Sequence, residues 1–232
     1  MLKPSLEEVK ALAKQYNTIP VFYEFSADNQ TPLNIYTALS KDSRNSFILE
    51  SVSNGVQWDR YSFVGVSPKE EICITGNTAE IRTGDKIETK EVEQPIAFLK
   101  ERMAAYRSPV LEGAPNFTGG LIGYFGYDTV RYMEKKLTHV PEDDIHMPDC
   151  HLFLYEELLA YDHLTSNGIV ILNLHTDGDL GAQYAAAQWR AEELADIVCH
   201  YNPQPQVRQY HGESVVRSNL TKEQYSQMVR DA

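Results

Sequence analysis

The residues in this chain best suited by type and spacing to chemistry interrupt an apolar run. Phe47-Ile48-Leu49 reads as a buried strand, yet Glu50 and Ser51 follow it directly. A carboxylate taken out of water costs several kcal/mol unless it is paired, and a dry hydroxyl costs about 1–3 kcal/mol. The pair therefore needs either a partner or a strand end, where Glu50 reaches water and Ser51 bonds local backbone. Other candidate groups are weaker. His139, His146 and His151 with Asp143, Asp144 and Asp149 lie around two prolines at irregular spacing, which reads as solvated loop rather than converging metal ligands. Asp162-His163 has the composition of an acid/base pair but sits between two apolar runs, where it reads as a hairpin turn. No G-x-S-x-G elbow is present for a serine nucleophile. Glycines 119, 120, 123 and 126 spell neither G-x-G-x-x-G nor a P-loop. They read as close backbone packing in a curved strand, with a ligand-facing role as the alternative, and a helical turn follows at 128–134.

Caps and periodicity show the elements that must position these residues. Ser5-Leu6-Glu7-Glu8 is a capping box, with Leu6, Val9, Leu12, Ala13 and Tyr16 at helical spacing. Thr31-Pro32 sets an N-cap and a first-turn proline ahead of Leu33, Ile35, Tyr36 and Leu39. After Asn54-Gly55, extended segments at 60–66, 71–74, 79–82 and 86–88 predict an antiparallel meander with one wet face, turning at Gly76-Asn77 and Gly84-Asp85. Gln94-Pro95 opens a helix with Ile96, Leu99, Met103 and Tyr106 on one stripe, ended near Ser108-Pro109. Runs at 152–161 and 168–174 predict a long hairpin joined by 162–167. An alanine-rich helix over 180–201 buries Tyr184, Ala187, Ala191, Leu194, Ile197 and Val198. A linker with Pro203 and Pro205 occupies 202–213. Thr221-Lys222-Glu223-Gln224 then opens another capped helix, whose inward residues would be Tyr225, Met228 and Val229.

With 232 residues and 42% hydrophobic content, the chain can build one large core or two small ones. Its net charge of −12 repels nucleic acid and anionic membrane, so an anionic substrate would need a locally basic pocket. Cys73, Cys150 and Cys199 are scattered and odd in number, which fits a reducing cytoplasm rather than a disulfide or zinc framework. The first ten residues lack a signal-peptide core, and no stretch approaches about 18 uninterrupted apolar residues. A soluble, unexported protein with neither membrane nor nucleic-acid partners is expected.

Several separated segments, in order, carry a resemblance. Phe47-Ile48-Leu49-Glu50-Ser51, the run Trp58-Asp59-Arg60-Tyr61-Ser62-Phe63-Val64-Gly65, the segment 119–128, Pro148-Asp149 and Asp162-His163 together resemble the N-terminal half of anthranilate synthase component I. The resemblance covers almost the whole chain. It implies an enzyme that, at full length, converts chorismate and ammonia to anthranilate and pyruvate in tryptophan synthesis. It further implies Mg2+ as cofactor, and ammonia delivered from glutamine by a glutamine amidotransferase subunit, component II. Chorismate and magnesium ligands are implied in a C-terminal half beginning near Asn219, so no catalytic residue is assigned here. Ile48-Leu49-Glu50-Ser51 is similar to the family's Leu-Leu-Glu-Ser motif, with Ile for the first Leu. That motif forms half of a feedback site for tryptophan shared between the two halves. On this reading Glu50 accepts a charge-assisted hydrogen bond from the tryptophan ammonium, Ser51 adds a polar contact and Leu49 helps form an apolar wall. Arg60 is a further basic candidate. Two alternatives stay open: aminodeoxychorismate synthase component I, which shares the architecture, and a non-enzymatic amino-acid-binding module.

The expected fold class is α+β, an antiparallel β-sheet sandwich with helices on the outer faces, as a truncated part of a larger chorismate-utilising enzyme fold. Residues 1–213 would form the N-terminal region and 214–232 the opening of the catalytic domain. Alone, such a fragment would be inactive.

Overall fold

The computed structural model describes residues 1–50, 60–134, 136–137, 143, 145–203 and 217–231, and it divides into two units, Met1–Tyr201 and Asn202–Ala232. In the first unit the expected capping box starts α1 (Leu6–Leu12): the Ser5 hydroxyl accepts from the Glu8 N–H, and the Glu8 carboxylate accepts from the Ser5 N–H at 2.8 Å. Thr31 caps α2 (Pro32–Leu39) by accepting from the Asn34 N–H at 3.1 Å. Proline opens α3 (Pro95–Ala104), and Asp179 accepts from the Gly181 and Ala182 N–H groups to start α4 (Leu180–Cys199).

The strands among the described residues are β1 (Thr18–Ser26), β2 (Ser46–Leu49), β3 (Tyr61–Val66), β4 (Glu70–Thr75), β5 (Thr78–Thr83), β6 (Lys86–Glu91), β7 (Gly120–Phe125), β8 (Cys150–Tyr155), β9 (Glu157–Asp162) and β10 (Asn167–His175). They form two five-stranded sheets, ordered β1-β10-β9-β3-β2 and β6-β5-β4-β8-β7, with every pairing antiparallel. Alternation along each strand sends its side chains to two different layers. On the first sheet, Ile19, Val21, Val64, Leu159, Val170 and Leu172 face α1, α2 and α4 through Val9, Ile35, Ala191 and Leu194. Its other face, with Leu158, Ala160 and Ile171, meets Ile122, Phe153 and Tyr155 of the second sheet. Phe47 and Tyr155 join across that seam edge-on at 4.8 Å. On the far side of the second sheet, Ile72, Ile74, Ile81 and Leu152 pack against Phe98 and Leu99 of α3. Fully burying one such aliphatic side chain stabilises by about 1.5–3 kcal/mol. The result is the expected α+β sandwich with helices outside both sheets.

Several boundaries differ from the sequence-based expectation. The run at 47–49 is not a buried strand: β2 has only four residues, lies at a sheet edge, and ends at Leu49, which is 47% exposed. Nor is the meander four-stranded. β4, β5 and β6 form it, with Gly76 and Gly84 at φ 56° and 57° in its turns, while β3 pairs with β2 and β9 in the other sheet. Ser67 at φ 53° and Pro68, which has no N–H to donate, divert the chain between sheets. The run at 152–161 likewise divides at Glu156 into β8 and β9, so only its second half forms the hairpin with β10.

Caps and periodicity assign nothing to 18–26, which forms β1. Phe22 turns its N–H and carbonyl to Lys3 outside the sheet, so Pro20, two residues earlier, points its missing donor the same way and breaks no ladder bond. On α4, Ile197 is 41% exposed rather than buried, because it lies off the Ala187-Ala191-Leu194-Val198 stripe. In the second unit, Thr221 and Gln224 exchange the expected capping-box bonds and open α5 (Lys222–Asp231). Tyr225, Met228 and Val229 are 62%, 57% and 61% exposed, so within this unit no described residue covers the stripe read as inward.

Candidate functional site

Register decides which side chains gather at the end of the first sheet. Glu24, Ile169, Ala160, Phe63 and Leu49 stand in one row across β1, β10, β9, β3 and β2. Phe63, Ala160 and Ile169 belong to the core between the sheets, so Leu49 lies at the open margin of that inner face. Glu50 follows at the strand end, exposed, and pairs with no cation among the described residues. Its carboxylate keeps its water, and the conflict posed by the sequence dissolves because the strand stops one residue earlier. Ser51 and Asn54-Gly55 lie outside the described residues.

The strand that orders this end is itself anchored by an ion pair between a half-exposed guanidinium and a buried carboxylate. Arg60 donates from Nε and Nη2 to Asp162 Oδ1 and Oδ2 at 3.0 and 2.7 Å, a bidentate fork. Asp162 is 2% exposed and also accepts from the Leu164 N–H and the Thr165 hydroxyl, both at 3.0 Å. Its carbonyl accepts from the Ser166 N–H at 2.8 Å, so the β9–β10 turn is built around this residue. Burial pushes the Asp162 carboxyl pKa up, but the Arg60 guanidinium and the two turn donors outweigh it, and the net shift is downward. The His163 N–H donates to the Arg60 carbonyl at 2.9 Å, and His163 Nε2 lies 2.8 Å from Oγ of the fully buried Ser62. Asp162-His163 thus forms the expected turn. The Arg60 fork, raised above as a further candidate, is committed to Asp162. These contacts join residues 102 and 101 positions apart, which no local pattern reveals. The turn itself is Asx-type, with Asp162 Oδ1 accepting from the Leu164 N–H two residues on.

The described members of the histidine–aspartate group do not converge. His139 and Asp144 lie outside the described residues. His151 Nε2 contacts Glu71 Oε1 at 2.7 Å, Asp149 accepts from the Gly76 N–H and the Tyr132 hydroxyl, both at 2.6 Å, and His146 is exposed. Among the described residues no set of three His, Cys, Asp or Glu side chains is placed to hold a metal ion, so they offer no fit for the implied magnesium. The glycine-rich segment supplies close packing. A Cβ on Gly123 would stand 2.0 Å from the His151 carbonyl oxygen of β8.

Fold and site together define a class: a layered α+β domain of two helix-covered antiparallel sheets, with an open carboxylate at the end of an edge strand. Residues 58–232 match the family model described as chorismate binding enzyme, and the chain belongs to that family. It is 35% identical to anthranilate synthase component 1 of Acetivibrio thermocellus over 100% of this chain and 48% of that protein. It is 37% identical to the component 1 protein of Pseudomonas aeruginosa over 82% of this chain and 38% of that protein. The chain thus spans about half the length, or less, of these relatives. A solved component I from Streptococcus pneumoniae TIGR4 is similar over 76% of this chain and 36% of that chain, with 26% identity and a TM-score of 0.45. No helix among the described residues is long and apolar enough to cross a membrane.

Proposed function

We propose that this chain is the N-terminal region of an anthranilate-synthase-type enzyme, with residues 214–232 opening the catalytic domain. At full length the enzyme converts chorismate and ammonia to anthranilate and pyruvate. A glutamine amidotransferase subunit supplies the ammonia, and Mg2+ and chorismate are held by residues beyond this chain. The observation that carries this reading is the 35% identity to a component 1 protein along the entire chain.

Within the chain, the proposed role of Leu49, Glu50 and Ser51 is one wall of a tryptophan feedback site. The exposed Glu50 carboxylate supports it: no described residue pairs a cation with it, and a carboxylate accepts charge-assisted bonds from an ammonium group. Leu49, half-exposed beside the inter-sheet core, offers apolar surface to an indole. An effector held between two regions inhibits by favouring an arrangement poorly suited to substrate, with a coupling of about 1–3 kcal/mol.

The test is a fluorescence assay of the full-length protein with chorismate, Mg2+ and ammonium, then with glutamine and the partner subunit. Chorismate-dependent anthranilate fluorescence is expected in both. Aminodeoxychorismate detected in place of anthranilate would assign the aminodeoxychorismate reaction instead, and no consumption of chorismate would leave a binding module.

A further inference from the structure

The start of β1 lies in a knot of contacts at the seam between the sheets. The Asn17 and Thr18 N–H groups both donate to the Arg107 carbonyl, at 3.1 and 3.2 Å, and the Arg107 N–H donates to Asn17 Oδ1 at 2.6 Å. Beside it the chain crosses between sheets at Glu156, whose carbonyl accepts from the Asn173 N–H at 3.2 Å and from Asn173 Nδ2 at 2.9 Å. The same Nδ2 donates to the Thr118 carbonyl at 2.7 Å. Glycine at 119 permits this approach, because a Cβ there would stand 2.9 Å from Asn173 Nδ2 and 3.0 Å from the Tyr155 carbonyl.

Beside the knot lies a partly open cavity of about 60 Å³ lined by Thr18, Ser108, Thr118, Glu156 and Asn173 among others. Thr18 Oγ1 and Ser108 Oγ, both on residues of its wall, are buried and have no hydrogen-bond partner among the described residues; Thr18 is only 4% exposed. A hydroxyl left dry in such a place forfeits the bonds it made in water. We propose that this cavity is a site for ordered water, with at least one molecule bridging Thr18 Oγ1 and Ser108 Oγ. A single water needs roughly 10–15 Å³, so the space suffices. The guest is neutral, because the one carboxylate in the lining, Glu156, already accepts from Lys69 Nζ at 2.7 Å and stands 2.9 Å from His175 Nε2. The water ties the first strand of one sheet to the segment following the helix that covers the other.

A high-resolution crystal structure of the full-length protein tests the site directly. Ordered density within hydrogen-bond reach of both hydroxyl oxygens is expected, and an empty cavity overturns the proposal. Substitution supplies an independent test of sign. Thr18→Val keeps the shape and removes the hydroxyl, so a watered site calls for hydrogen exchange about 5-fold faster at the backbone amides of positions 17 and 18. A dry site calls for unchanged or slower exchange, since deleting an orphaned hydroxyl removes a penalty. Ser108→Ala moves exchange in the same direction if one water serves both groups. The double variant is then no worse than the worse single one, and additive effects overturn the bridge.

Discussion

Asp162 does the most to hold the candidate site's scaffold. It is buried, it takes both arms of Arg60, and it receives two donors of its own turn. Asp162→Asn keeps the shape and removes the charge, and is expected to cost about 1.5–3 kcal/mol, the range for hydrogen bonds to charged groups, read as a lower urea midpoint. Its folded pKa lies below the ordinary value, so its stabilisation is present above the unfolded pKa of about 3.9 and is lost as pH falls through the folded value. Wild type is therefore expected to lose stability more steeply than Asp162→Asn below about pH 4, in acid titrations followed by circular dichroism. Glu50 gives the opposite case. Exposed and paired with no cation among the described residues, it should tolerate Glu50→Gln within about 0.5 kcal/mol, so a changed tryptophan response in that variant reports on ligand contact and not on folding.

At the scale of elements, two glycines differ in what a methyl group would meet, although both have a positive φ, 56° at Gly76 and 159° at Gly123. Gly76 stands in open space but at φ 56°, so Gly76→Ala is expected to cost about 1–2 kcal/mol through the left-handed backbone alone. At Gly123 a methyl group would strike the β8 backbone, and prying β7 from its neighbour is expected to cost about 1–3 kcal/mol. Relieving that clash has to shift β7, so protection of the β7–β8 amides should fall in Gly123→Ala and hold in Gly76→Ala, a difference hydrogen exchange reads directly.

The same contrast explains what the sequence could and could not disclose. Both capping boxes and the Thr31 cap were legible because every partner lies within three residues. The turns at Gly76 and Gly84 were legible for a similar reason. Sheet membership was not: β3 and β4 look alike in pattern, and only their partners, β9 and β8, assign them to different sheets. β8 and β9 form one apolar run because both are covered on two faces, which erases the alternation that would have marked the crossing at Glu156. At the site, Glu50 stood out from its sequence neighbours, whereas its exposure depends on where an edge strand ends, a property of the whole sheet.

Over the whole molecule, burial grades the three free thiols. Cys199 is exposed, Cys73 is partly covered, and Cys150 is 1% exposed with burial and nearby Asp149 pushing its thiol up to about 11. Labelling with a thiol reagent at pH 8 should modify Cys199 first and Cys73 more slowly, with Cys150 reacting only as the chain unfolds globally. Reaction of Cys150 as fast as Cys199 would contradict the packing of β8 against α3. The proposed function also lives at this scale, because the chain spans about half of its relatives and a shared effector site needs both parts. The most direct measurement is a tryptophan titration of anthranilate formation by the full-length enzyme, wild type beside Ser51→Phe. If Leu49, Glu50 and Ser51 form the effector wall, the phenylalanine fills it, and inhibition weakens about tenfold or more while uninhibited turnover is retained. Superimposable inhibition curves for the two proteins would contradict it.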